Sequence, residues 1–140
     1  MNIAASLHEV WPYINSMKTI NSWIPWVNNN PGFLEVYGGN SGEVGDTFIW
    51  ENKNTDFRMK ETITEIIPFQ KTIISGVQND ETLFTVTFLI VSEGNGSKVT
   101  WKYDGALKPL QKPLKFIGKR HMNEQVQSAL ENLKRIVEEK

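Results

Sequence analysis

At 140 residues, 39% hydrophobic and 22% charged, the chain has the make-up of one globular domain with its own core, taken as residues 1–140. It contains no cysteine, which excludes disulfides, thiolate nucleophiles and cysteine-ligated zinc or iron–sulfur sites. A net charge of −1 gives no whole-molecule pull towards nucleic acid or anionic lipid, and with no leader-like start and no run of about 18 apolar residues the chain reads as cytoplasmic, not as an integral membrane protein.

Asn2 to Ala5 is a short extended candidate. Ser6-Leu7-His8-Glu9 then has the form of a capping box, serine at the N-cap and glutamate three residues on, so a helix is predicted to follow. Val10, Trp11 and Ile14 share one side of it, and Pro12, which has no amide hydrogen to donate, predicts a kink or an early end. A second helical turn over about Met17 to Trp23 stops at Ile24, because Pro25 drives the preceding residue out of helical geometry. Trp23 and Trp26 bracket that corner. At least one indole is expected under a later helix, and Trp26 is the ring assigned to a cavity wall.

From Phe33 to Asp104 the hydrophobic period changes from 3.6 to 2. Six strands are predicted, Phe33–Tyr37, Thr47–Glu51, Phe57–Ile67, Lys71–Val77, Leu83–Val91 and Lys98–Tyr103, separated by turn-forming stretches such as Asn52-Lys53-Asn54 and Gly94-Asn95-Gly96. Short turns between consecutive strands make an antiparallel meander. The glycine-rich "YGGNSGEVG" lacks the Lys-Ser/Thr ending of a phosphate loop and precedes a strand, so it reads as a hairpin loop that can lie over a cavity mouth.

Beyond Pro109 and Pro113 the period returns to 3.6. Leu114, Gly118, Met122, Val126, Ala129, Leu133 and Ile136 form one stripe, with Glu124, Gln127, Glu131 and Lys134 opposite. That stripe needs a partner, and the sheet face is the large apolar surface available. The order of elements therefore predicts an α+β helix-grip architecture: two short helices after the first strand, then a curved antiparallel sheet wrapped around a long C-terminal helix, with a binding space between them.

The stretches "IAASLHEVWPYINSMKTINSWIPWV", "GEVGDTFIWENKN", "FRMKETITEIIPFQKTIISG", "GSKVTWKYDG" and "MNEQVQSALENLKRIVEE" resemble, in order, the SRPBCC or START-like helix-grip superfamily in its polyketide cyclase/dehydrase-like branch. The first strand, starting almost at Met1, is shorter than usual there and reads as trimmed or as a short edge. The resemblance implies a hydrophobic cavity for lipids, polyketide-like or aromatic molecules. It implies no shared catalytic residue, so the catalytic residues are left unknown.

The residues expected to line the cavity are Trp26, Phe48, Trp50, Met59, Glu61, Phe88, Trp101, Tyr103, Gly118 and Met122, with Phe57 and Phe116 able to join them by alternation and helical spacing. These rings either line a void or fill it. A glycine in mid-helix, which costs about 1 kcal/mol against alanine, favours a void or a close approach at residue 118. Glu61 shares the parity of Met59 and Ile63 and points inward if the strand carries no bulge; one bulge, or a plain polar run Lys60-Glu61-Thr62, turns it outward. Glu35, alternating with Phe33 and Tyr37, has the same status. His8 reads as solvated and His121 as a polar rim residue, neither has metal-binding spacing, and no metal or cofactor is expected. Residues 108–140 carry eight basic and four acidic groups, and Lys108, Lys112, Lys115 and Lys119 form a basic strip that reads as a solvated face.

The functional expectation is binding of a small hydrophobic or amphipathic ligand, with no nucleic acid, by a monomer or weak homodimer. The alternatives are a cyclase, dehydratase or hydrolase using Glu61, Glu35 or His121, and a protein-interaction module similar to chaperone ATPase activators whose basic strip or first-helix surface meets a protein partner.

Overall fold

The computed structural model describes residues 1–25, 33–52, 54, 58–78, 81–105 and 112–139, the last including backbone alone for 112–122, as also for 81 and 82. The capping box forms as predicted: the Ser6 hydroxyl accepts from the Glu9 amide at 3.3 Å, and the Glu9 carboxylate accepts from the Ser6 amide at 3.2 Å. Helix α1 is Leu7–Val10, and at Pro12 the chain tightens into a 3-10 turn over Trp11–Tyr13. Helix α2, Met17–Asn21, is capped by the Ser16 hydroxyl, which accepts from the Thr19 amide at 3.2 Å.

The sheet has seven strands: β1 Asn2–Ile3, β2 Phe33–Gly38, β3 Thr47–Asn52, β4 Arg58–Ile67, β5 Lys71–Gln78, β6 Glu81–Glu93 and β7 Gly96–Gly105. All pairs are antiparallel in the order β1-β7-β6-β5-β4-β3-β2, so the six predicted strands form the meander and β1 joins its far edge. β1 is shorter than the extended stretch expected over Asn2 to Ala5. After Ile3 the backbone leaves the sheet, because the Ala4 amide donates to the Glu138 carboxylate at 2.8 Å and the Ala5 carbonyl accepts from the buried Ser97 hydroxyl at 2.7 Å. Phe57, placed at the head of β4 by alternation, lies outside the described residues.

Helix α3 runs from Lys112 to Glu138. Val126, Ala129, Leu133 and Ile136 of the predicted stripe are buried or half-buried, joined by Leu130 and Val137, while Glu124, Gln127 and Glu131 face solvent. These apolar side chains enter one core with Ile63, Ile74, Val86, Phe88, Ile90 and Val99 of the sheet and with Val10, Trp11, Ile14, Met17, Ile20 and Trp23 of the N-terminal helical segment. The fold is thus an α+β helix grip.

The loop after β2 is pinned down. The buried Asp46 carboxylate accepts from the Gly42 amide and from the Met17 amide at the start of α2, each at 3.0 Å. The Gly45 amide donates to the Ile63 carbonyl at 2.8 Å, which ties the loop to β4 as well. These bonds hold the loop against α2 and β4.

Candidate functional site

Strand register assembles the site. Tyr37 pairs with Phe48, Phe48 with Glu61, Glu61 with Gly76, Gly76 with Phe84 and Phe84 with Gly105, so these residues form one row across five strand pairings on the concave face. The bulge that could have turned Glu61 outward lies further along, between Ile63 and Glu65, and the inward parity therefore survives at Glu61.

Burial changes in one direction along that face. On β6, Val86, Phe88 and Ile90 are buried while Phe84 is half-buried; on β7, Val99 is buried, Trp101 half-buried and Tyr103 is 40% exposed. β4 repeats the trend, from buried Ile63 to half-buried Glu61 and Met59, and β3 from buried Phe48 to half-buried Trp50. The sheet therefore has a packed end and a more open, ring-lined end.

At the packed end Trp23, which is 1% exposed, meets Phe88 and Trp101 edge-on at centroid distances of 5.7 and 5.9 Å, and Phe88 meets Trp101 at 4.9 Å. Its indole donates to the Tyr13 carbonyl at 2.9 Å, and its own carbonyl accepts from Asn132 of α3 at 3.3 Å. Trp23 is thus the indole under the long helix. Trp26, the ring assigned to the wall, and Lys108 lie outside the described residues, and Gly118, Met122, Phe116, His121 and the lysines at 112, 115 and 119 are described by their backbone alone.

Ring pairs build the open end and its border with the packed one. Phe33 stacks on Trp50 at 4.6 Å, Tyr37 lies tilted against Phe48 at 5.0 Å, and Phe84 stacks on Tyr103 at 5.4 Å. Two glycines make the last pair: a Cβ at residue 76 would stand 2.2 Å from the Phe84 ring, and one at residue 105 would stand 2.7 Å from the Tyr103 ring. Only bare backbone lets the rings lie so close to the sheet. Alternation alone could have found Phe84, which shares parity with Phe88, and Gly76 within β5 was a further signal of close approach.

Glu61 sits in the middle of this row, and burial pushes its carboxyl from 4.5 up to about 7. Among the described residues it makes no hydrogen bond or ion pair, and it retains some accessible surface. The carboxyl is thus desolvated without being wholly closed off from solvent. Nearby, the Tyr37 hydroxyl accepts from the Asn21 amide group at 3.1 Å, and burial raises the phenol with smaller upward contributions from Glu35, Glu61 and Asp46. His8 is exposed, its ring edge-on to Phe69 at 4.6 Å and far from this row in the fold order. No group of three or more metal-ligating side chains converges among the described residues.

A family profile described as polyketide cyclase / dehydrase and lipid transport matches residues 1–138. The chain belongs to this family. No curated protein sequence matches it at a significant level. Among solved structures it is similar to the Aha1 dimer from Colwellia psychrerythraea, at 17% identity and a TM-score of 0.67 over 99% of this chain and 92% of that one. TTHA0849 from Thermus thermophilus matches at 19% identity and 0.63 over 98% and 92%, and Ms6760 from Mycobacterium smegmatis at 12% and 0.65 over 98% and 87%. Identities this low carry the fold and leave the ligand to the residues of this chain. Among the described residues, no helix is long and apolar enough to cross a membrane.

Proposed function

We propose that the protein binds a small hydrophobic or amphipathic molecule between the open end of the sheet and α3. The observation that carries this reading is Glu61, an accessible carboxyl desolvated in the centre of a ring-lined concave face and left without a described partner. Leaving such a group unpaired costs stability, and a ligand that pairs with it offsets that cost. Phe48, Trp50, Met59, Trp101 and Tyr103 supply apolar contact in this reading, with Phe88 behind them. Native mass spectrometry of protein purified from its own host, followed by thermal melts with the released molecule, tests it: a retained small molecule that raises Tm is the expected result. Protein that emerges empty and gives no thermal shift with a panel of apolar probes would sink it.

The same residue favours a second reading, an acid/base enzyme acting on a polyketide-like carbonyl compound. A carboxyl near 7 is suited to proton transfer at neutral pH. Glu61→Gln would then abolish turnover of a bound substrate while its affinity stays within a few-fold, and turnover that survives the change rules this role out.

A further inference from the structure

Resting on the binding reading above, we infer that the occupant is cationic: an apolar or aromatic body carrying a protonated or quaternary amine, with the nitrogen seated at Glu61 among the Tyr37–Phe48 and Phe84–Tyr103 rings.

The argument is one of sign. Glu61 has Phe48 opposite it on one side and Gly76, floored beneath the Phe84 ring, on the other. Ring faces carry negative potential and attract ammonium groups. Glu35 lies on the same concave face, paired with Trp50, while Asp46 closes the loop beside α2. The ionisable neighbours that act on the Tyr37 phenol are Glu35, Glu61 and Asp46, all carboxylates, and each acts in the upward direction. The described cation recorded on these rings is Lys18, whose ammonium lies 5.5 Å from the Tyr37 centroid on an exposed side chain of α2. No described cation pairs with Glu61.

Three kinds of amphiphile would meet this site differently. A fatty acid brings a second negative charge to a desolvated carboxyl and is repelled. A neutral alcohol gains apolar contact alone. An alkylammonium gains the same contact, pairs with Glu61, which has no cation beside it among the described residues, and meets the rings as a cation. Head-group charge therefore ranks the ligands, whatever the tail.

The test uses the full chain and a matched ten-carbon series, decyltrimethylammonium, decanol and decanoate, titrated calorimetrically at pH 8 and below their micelle concentrations. The expected order places the ammonium roughly tenfold or more tighter than decanol, with decanoate weakest. Glu61→Gln should bring the ammonium down to the level of decanol while leaving decanol within about threefold. Decanoate binding as well as the ammonium, or the ammonium binding equally well to Glu61→Gln, overturns the inference. Equal binding of all three also overturns it but leaves the apolar cavity standing, whereas no binding by any of them removes both. The comparison among ligands on the unaltered protein needs no variant to fold.

Discussion

Glu61 makes the clearest prediction at the scale of the residue. Its carboxyl keeps a proton in the fold up to about 7, whereas the ordinary value is 4.5. Between those two values the folded protein holds a proton that the unfolded chain has lost, so stability falls as pH rises through the window and levels off above it. The loss from this one group is about 3 kcal/mol. Glu61→Gln never ionises, so the variant gains on the wild type by that amount between pH 4.5 and 7.5. Urea denaturation of both proteins at three pH values checks this; a gap that stays flat would place the carboxyl in bulk water. Glu138, whose carboxyl is lowered by its bonds to Ala4 and Lys134, is common to both proteins and cancels in the difference. Gly76→Ala tests the neighbouring platform. The added methyl would force the Phe84 ring off the sheet, costing about 1–3 kcal/mol and weakening ligand affinity. Alternation in the sequence offered both directions for Glu61, because parity holds only as far as the next bulge. The position of that bulge, after Ile63, is set by pairing with β5 and is not written in the residues themselves.

Among elements, the N-terminal helices are held to the sheet by buried hydroxyls. Thr72 on β5 is fully buried and donates to the Ile14 carbonyl at 3.0 Å, where the 3-10 turn has ended and that oxygen has no helical partner. Thr72→Val keeps the shape but leaves the carbonyl unsatisfied, and should cost about 1–3 kcal/mol in chemical denaturation. A cost near zero would mean that water replaces the hydroxyl. The β4–β5 turn works from outside: Phe69 adopts a positive φ of 61° and stands its ring against His8 and Trp11. A bulky residue in that region is strained, so the ring contacts must offset the backbone cost. Element type and order were legible throughout, because the capping box, Pro12 and Pro25, the change of period at Phe33 and the stripe on α3 are local signals. The links between elements were not. Thr72 and Ser97 look like ordinary strand residues until the fold brings the Ile14 and Ala5 carbonyls to them.

For the whole molecule, the burial gradient separates what holds the fold from what meets the ligand. The packed end joins Trp23, Phe88 and Val99 to Ala129, Leu133 and Val137 of α3, all almost fully buried. The open end carries Trp50, Met59, Glu61, Phe84 and Tyr103, each with surface to spare. A packed interior loses its contacts and gains a cavity when a side chain is truncated, so Leu133→Ala should cost about 2–5 kcal/mol. Its effect on ligand affinity should be small, because the fold that remains still presents the same rings. Phe84→Ala should behave in the opposite way, costing less stability because the ring is already half-exposed, and losing affinity because its platform above Gly76 is gone. Ligand at a hundred times its Kd adds about 2.7 kcal/mol to the stability of a protein that binds it only when folded. Leu133→Ala should therefore recover that full increment with decyltrimethylammonium at a fixed concentration, whereas Phe84→Ala recovers little of it. Denaturation with and without the ligand measures both increments on each variant. Equal increments for the two would mean that stability and binding draw on one undivided core.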